Sequence, residues 1–148
     1  MSDLEWLTKA VELAGHCPPS RTAFSVGAII VVGDENIGEG HSRQTHPNDH
    51  AEEVALRQAA ARLPGPGELD RSFTVYSSME PCGRRASRSR TCAELIIRAG
   101  IGRVVFAMAE PDTFVLPQGA LLLERAGVEV VQLTESAQAA AEVNRHLL

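Results

Sequence analysis

After an opening hairpin, strand-like segments alternate with helical segments along the chain, and this order constrains the fold more than any other feature. Residues 25–32 are mostly apolar and β-branched, which predicts a buried strand. A turn at residues 33–36 and a second strand at residues 37–42 would complete the hairpin. Strands that alternate with helices favour parallel pairing beyond it. We therefore expect a three-layer α/β/α sandwich around a five-stranded mixed sheet.

The remaining elements follow from hydrophobic periodicity and from glycine and proline breaks. Helices are predicted over residues 3–15, 50–63, 92–99, 118–126 and 135–147, strands over residues 73–77, 104–108 and 128–133, and a loop over residues 64–67. No repeat or long linker divides the 148 residues, so we expect one domain over residues 1–148.

Charge and composition exclude several partners. The formal net charge is −5, whereas proteins that bind duplex nucleic acid use a basic face. Aromatic residues are 4 %, too few for a row of base-stacking platforms. No apolar run approaches the roughly 20 residues that span a bilayer, and the acidic N-terminus lacks the basic start of a secretory signal. We expect a cytoplasmic protein without a membrane or nucleic-acid partner.

We do not expect the three cysteines, Cys17, Cys82 and Cys92, to form a disulfide framework. Their number is odd, and no secretion signal accompanies them. Such cysteines are buried, catalytic or metal-bound.

Two predicted helix starts carry metal-ligand side chains. His50 opens one helix, whereas Cys82 precedes and Cys92 opens another. In α/β sheets of this kind, strand carboxyl ends and helix N-termini meet at one edge. One imidazole and two thiolates are ligands that Zn²⁺ accepts when a fourth position is left for water. We therefore predict that His50, Cys82 and Cys92 bind zinc.

Glu52 lies two positions after His50 and is the predicted catalytic residue. A carboxylate beside an activated water can accept its proton and then pass it to the substrate ring and to the leaving amine. His-x-Glu followed by Pro-Cys and a further cysteine is a signature of zinc deaminases.

A structural zinc protein is the alternative outside enzymes. His-Ala-Glu and Pro-Cys are each common by chance, and two cysteines can simply be buried. A structural zinc site requires a fourth protein ligand, for which His41, His46 and Cys17 are the candidates.

Several stretches give the chain a family resemblance. They are residues 22–28 (Thr-Ala-Phe-Ser-Val-Gly-Ala), 40–43 (Gly-His-Ser-Arg), 48–52 (Asn-Asp-His-Ala-Glu), 76–82 (Tyr-Ser-Ser-Met-Glu-Pro-Cys) and 110–115 (Glu-Pro-Asp-Thr-Phe-Val). With them the chain resembles the cytidine deaminase superfamily of zinc hydrolases, and within it the riboflavin-biosynthesis pyrimidine deaminases of fungal type. One departure is Ala23-Phe24, where bacterial members usually carry Asn-Pro. A cytosine- or guanine-type base, nucleoside or nucleotide therefore stays an alternative substrate.

The resemblance implies zinc-dependent hydrolytic deamination of an aminopyrimidine by a homodimer. The leading substrate is the riboflavin-pathway diaminopyrimidine with a ribityl or ribosyl 5′-phosphate side chain. It also implies substrate contacts from Asn48 and from the segment Ser78-Met79-Glu80.

Arginines offer the forked donors that a phosphate prefers. Four of them, Arg84, Arg85, Arg88 and Arg90, lie between two predicted zinc ligands, and Arg43 lies before the third. We predict that Arg43, Arg84 and Arg88 contact substrate. The alternative is that the loop arginines form a solvated face or pair with nearby acids.

Overall fold

A single mixed sheet organises the part of the chain that the computed structural model describes, which is residues 1–63, 69–85, 88–112 and 118–148. Its strands are β1 (Gly27–Val32), β2 (Glu35–His41), β3 (Phe73–Met79), β4 (Arg103–Met108) and β5 (Glu129–Gln132). The helices are α1 (Asp3–Ala14), α2 (Ala51–Arg62), α3 (Cys92–Ala99), α4 (Gly119–Arg125) and α5 (Ala137–Val143).

The strand order is β2-β1-β3-β4-β5. β1 pairs antiparallel with both β2 and β3, whereas β3, β4 and β5 run parallel. The parallel strands are joined through helices, as crossover connections require. The predicted five-stranded mixed sheet is therefore confirmed.

Two separate cores cover the two faces of the sheet, because successive strand residues point to opposite sides. Ile30 packs in one cluster with Ala55 of α2, Ile96 of α3 and Leu123 of α4. Ile29 belongs to the other cluster, which α1 and α5 complete. These layers form the predicted α/β/α sandwich.

Helix α2 lies unusually close to β2 because two strand residues lack a side chain. A Cβ at Gly40 would lie 2.6 Å from Val54 Cβ, and a Cβ at Gly38 would collide with the carbonyl oxygen of Ala55. This close packing holds α2 against β2.

Several element boundaries differ from the prediction by one or more residues, and β3, for example, extends to Met79. β2 begins at Glu35, so the turn is confined to Gly33 and Asp34. β1 begins at Gly27 because the backbone of Ser25 bonds to the Asn144 side chain instead of a neighbouring strand. The last predicted helix divides into α5 and two 3-10 turns, Thr134–Ser136 and Arg145–Leu147.

The predicted loop at residues 64–67 and residues 113–115 of the 110–115 motif lie outside the described residues. In the described part of the chain, no helix has the length and apolar character needed to cross a bilayer.

Candidate metal centre and active site

The three predicted ligands meet at one edge of the sheet. His50 caps α2, Cys92 is the first residue of α3, and Cys82 follows β3. His50 Nδ1 lies 3.4 Å from Cys82 Sγ and 3.3 Å from Cys92 Sγ, and all three ligand atoms lie within 4.8 Å of one another. Zinc bonds of roughly 2.0–2.3 Å place tetrahedral ligands about 3.6 Å apart, so the set fits a zinc ion.

Local backbone contacts hold the two cysteines together. Cys92 N–H donates to Cys82 Sγ at 3.3 Å, and Ala93 N–H donates to the Cys82 carbonyl at 3.1 Å. Gly119, the first residue of α4, packs directly on the Pro81 carbonyl, where a Cβ could not fit. The segment between β3 and Cys82 is thereby enclosed by two helix N-termini.

The two buried thiols differ in acidity. A hydrogen bond from Cys92 is the main effect that lowers the pKa of Cys82, and His50 adds to it. The same hydrogen bond and burial raise the pKa of Cys92 well above its usual range. Zinc binds thiolates, so metal binding would release the protons that these thiols hold in the metal-free chain.

The candidates for a fourth protein ligand lie elsewhere. The Cys17 thiol donates to the Val26 carbonyl at 3.5 Å, and His46 Nδ1 accepts the Asn48 N–H at 3.0 Å. The ring of His41 faces His16 edge-on. Among the described residues the cluster has three ligands, which leaves the coordination position that a catalytic zinc site keeps open.

Glu52 is 3 % exposed and lies beside this cluster. Ser77 Oγ lies 2.8 Å from Glu52 Oε1 and 2.7 Å from the Met79 carbonyl, so β3 orients the carboxylate. Burial, followed by the charge on Cys82, raises the pKa of Glu52. A carboxylate with a raised pKa suits proton transfer near neutral pH. No sequence pattern marks Ser77 for this role.

A cavity of about 590 Å³ opens onto the cluster. Five of the predicted substrate contacts line it: Arg43, Asn48, Met79, Glu80 and Arg84, together with His50, Glu52 and Cys82. Arg84 is exposed and forms no ion pair or hydrogen bond with other described residues. Contact of these five with substrate stays a prediction.

Two other predicted contacts lie outside this lining. Ser78 is buried, and its Oγ accepts the Gly27 N–H at 3.0 Å. Arg88 forms ion pairs with Asp49 and Glu53. Pairing with nearby acids was the alternative to substrate contact that the sequence left open for the loop arginines.

Part of the cavity wall is a loop, residues 18–25, of which Ser20, Thr22, Ala23 and Phe24 line the cavity. Arg43 donates to the carbonyls of Pro18 and Phe24, at 2.7 and 3.1 Å, and to Ser25 Oγ at 2.7 Å. Arg43 has φ 56°, a left-handed conformation that turns its side chain toward this loop. Its guanidinium therefore shapes the cavity wall.

Two acidic side chains also belong to the site. Glu80 accepts the Glu110 N–H at 3.0 Å and the Ala120 N–H at 2.8 Å, so it joins β3 to α4. Glu110 lines the cavity, and burial with the charges of Cys82, Glu52 and Glu80 raises its pKa to about 8. Its place in the 110–115 motif was the signal that could have identified Glu110.

The fold and ligand set define a zinc-binding α/β protein with an open coordination position. The family model described as "Cytidine and deoxycytidylate deaminase zinc-binding region" matches residues 1–108. The chain belongs to this family, and the resemblance predicted from its motifs is confirmed.

Relatives and solved structures point to one branch. The chain is 38 % identical over 128 residues to the diaminohydroxyphosphoribosylamino-pyrimidine deaminase of Schizosaccharomyces pombe, covering 86 % of this chain and 31 % of that protein. It is 40 % identical over 125 residues to the riboflavin biosynthesis protein RibD of Synechocystis, covering 84 % and 30 %. The chain thus spans about a third of the length of these curated relatives.

The Aspergillus oryzae Rib2 deaminase, solved as a C-terminal deletion mutant in complex with DARIPP, has a TM-score of 0.76 and 28 % identity, covering 98 % of this chain and 95 % of that one. RibD of Acinetobacter baumannii has a TM-score of 0.78 and 33 % identity, covering 99 % and 39 %.

Proposed function

We propose that this chain hydrolyses the exocyclic amine of an aminopyrimidine that carries a phosphorylated sugar or ribityl side chain, the deamination of riboflavin biosynthesis. The observation that carries this proposal is a buried carboxylate, Glu52, beside a three-ligand metal cluster at the floor of a cavity. The printed names of the Schizosaccharomyces relative and of the Aspergillus complex support the substrate class.

Zinc held by His50, Cys82 and Cys92 would supply the Lewis acidity that makes water nucleophilic near neutral pH. Glu52 accepts the proton of the attacking water and delivers protons to the ring nitrogen and to the departing amine. A carbon–oxygen bond forms, the carbon–nitrogen bond breaks, and ammonia leaves. Ser77 keeps the carboxylate aimed at the cavity throughout.

The phosphate contact is assigned to Arg84. It lines the cavity without an acidic partner among the described residues, whereas Arg85 and Arg88 pair with Glu53. Asn48 and Met79 line the cavity beside it and are assigned to the ring and its side chain. Arg43 and Glu80 hold the surrounding backbone.

An ammonia-release assay tests the reaction. The panel contains the phosphorylated diaminopyrimidine, its dephosphorylated form, cytidine and guanine. We expect turnover of the phosphorylated compound and a loss of about 10²–10⁴-fold in kcat for Glu52→Gln with zinc retained. A preference for cytidine or guanine would contradict the riboflavin assignment and leave the deaminase chemistry in place. Full activity of Glu52→Gln would contradict the role of Glu52.

Arg84→Ala tests the phosphate contact. A lost charged hydrogen bond costs about 1.5–3 kcal/mol, or a tenfold to hundredfold fall in kcat/KM, for the phosphorylated substrate only. Arg90→Ala is the matched control, because Arg90 is exposed in the same loop and does not line the cavity. Equal loss on the dephosphorylated substrate would refute the assignment.

We further propose a homodimer, on the family resemblance, and a cytoplasmic location. Thiolate ligands must stay reduced to bind zinc, which favours a reducing compartment. Light scattering of the purified zinc-loaded protein tests the dimer, and a monomer mass would contradict it.

A further inference from the structure

The loop between the two cysteine ligands is tied to the start of α2 by an ion-pair cluster that the proposed reaction does not use. Arg88 Nη2 lies 3.3 Å from Asp49 Oδ1, and Arg88 Nε lies 3.4 Å from Glu53 Oε1. Arg85 Nη2 lies 3.5 Å from the same Glu53 oxygen. We call these four residues, Asp49, Glu53, Arg85 and Arg88, the clasp.

The clasp reaches the backbone of the histidine ligand on both sides. Glu53 Oε1 accepts the His50 N–H at 3.3 Å, so one oxygen contacts both the ligand residue and the loop arginines. Arg85 Nη2 donates to the Asn48 carbonyl at 2.7 Å, two residues before His50. The position of the loop is therefore coupled directly to the position of His50.

Burial makes these contacts effective. The side chains of Asp49, Arg85 and Glu53 are 0 %, 2 % and 14 % exposed, and Arg88, which is 33 % exposed, contacts the two buried carboxylates. Asp49 Oδ2 accepts the N–H groups of Thr45 and His46, both at 3.0 Å, which fixes the carboxylate. Breaking one partner of a buried ion pair leaves an uncompensated charge, unlike the loss of a surface pair.

We propose that the clasp positions the metal centre: Arg88 and Glu53, supported by Asp49 and Arg85, hold Cys82 and Cys92 at ligand distance from His50. This inference rests on the proposed metal site. Nine residues separate the two cysteines, and a loop of that length loses conformational freedom when it closes around a metal. The clasp fixes Arg85 and Arg88 of this loop beforehand, so it slows metal loss.

Zinc release tests the proposal. Zinc-loaded wild type, Arg88→Ala, Arg88→Lys and Arg57→Ala are mixed with excess chromogenic chelator, and the transfer rate is measured. Residues that support metal ligands typically change metal affinity by 10–100-fold, so we expect Arg88→Ala to release zinc about 10–100-fold faster. Arg88→Lys should fall in between, because an ammonium lacks the fork that contacts both carboxylates.

Arg57 provides a matched control. Its Nη2 lies 3.0 Å from the same Asp49 oxygen, but it belongs to α2, is 54 % exposed and forms no ion pair or hydrogen bond with the described residues of the loop. Arg57→Ala should release zinc at the wild-type rate. Equal acceleration by Arg57→Ala and Arg88→Ala would overturn the proposal, because general weakening around Asp49 would then explain both.

Cobalt(II) substitution reports on the geometry of the metal ligands, which a general loss of stability would not change. The thiolate-to-cobalt absorption should change in Arg88→Ala and Glu53→Gln while the far-ultraviolet circular dichroism stays that of wild type. If the wild type retains zinc and Arg88→Ala has the same release rate and spectrum, only the proposed role of the clasp is refuted. A wild type that binds no zinc overturns the metal site and the clasp together.

Discussion

The metal side and the loop wall of the cavity are built in different ways. His50, Cys82 and Cys92 stand at the ends of regular elements, where β3, α2 and α3 meet. The wall, residues 18–25, contains no helix or strand. Its backbone is held by side chains that are distant in sequence.

Asn144 shows how distant these supports are. Its side chain accepts the Ser25 N–H at 2.6 Å and donates to the Ser25 carbonyl at 2.9 Å, across 119 positions of sequence. His146 Nε2 lies 2.8 Å from the Ser20 carbonyl, which adds a second tie from the end of the chain. The comparison teaches that the predicted metal ligands are placed by the ends of regular elements, whereas the loop wall, which has no helix or strand, is held by hydrogen bonds from distant side chains.

The largest effect is expected on the metal side. Cys82→Ala should abolish zinc binding and activity, since two remaining ligands do not hold a catalytic zinc. Metal analysis of the purified chain measures the zinc-to-protein ratio. Cys17→Ala is the control, because the Cys17 thiol donates to the Val26 carbonyl, and it should keep its zinc. If Cys82→Ala still bound one zinc per chain, Cys82 would not be a zinc ligand, and the proposed metal side would be wrong.

An intermediate effect is expected at the wall. Asn144→Ala leaves a buried N–H and carbonyl of Ser25 without partners, which should lower the free energy of unfolding by about 1–3 kcal/mol. KM should rise as the wall loosens, while zinc content stays unchanged. Urea unfolding and steady-state kinetics measure these effects.

Arg145→Ala is the neighbouring control for Asn144→Ala. Arg145 is 80 % exposed and pairs with Glu142 on the surface, so its loss should change neither quantity. If Asn144→Ala lost zinc and kept its KM, the wall and the metal side would not be separable in this way.

The smallest effect is expected on the opposite face of the sheet, where Arg103 donates to both carboxylate oxygens of Asp3 at 2.8 and 2.6 Å. This bond lowers the pKa of Asp3 to about 2. Because the pKa is lower in the folded chain than in the unfolded one, the stabilisation is present above about pH 4 and is lost as pH falls toward 2.

Asp3→Asn should therefore cost less than about 1 kcal/mol at pH 7, since the pair is partly exposed. The difference from wild type in urea unfolding should shrink below pH 4, and KM at pH 7 should not change. A difference that persisted at pH 2 would contradict the assignment to the Asp3 carboxylate.

Much of the metal side could be predicted because its signals are local. The apolar periodicity of residues 50–63 placed a helix start at His50, and a short helix was predicted from Cys92 to a stop at Gly100. Topology then brings these helix starts to one edge of the sheet. Ser77 could not be identified, because an alternating strand contains many small polar residues and only the packing of α2 shows which one meets Glu52.

The arginines illustrate the limit of a composition argument. Four of them cluster between two ligands, but their charges do not say which lines the cavity. Arg84 and Arg85 do, but Arg85 also pairs with Glu53, while Arg88 meets Asp49 and Glu53. These acids lie about 40 positions away, and that proximity exists only after α2 has docked on β2.

The sequence by itself determined the alternation of strands and helices, the ligand set and the neighbouring carboxylate, because each depends on residue type and short-range spacing. Only the tertiary structure decided which groups surround that centre. The Asn144 tie to Ser25, the Arg43 support of the wall and the clasp around His50 all join segments that are far apart in the chain. Directional hydrogen bonds form only between groups that folding has already brought within about 3 Å, and no local pattern encodes that distance.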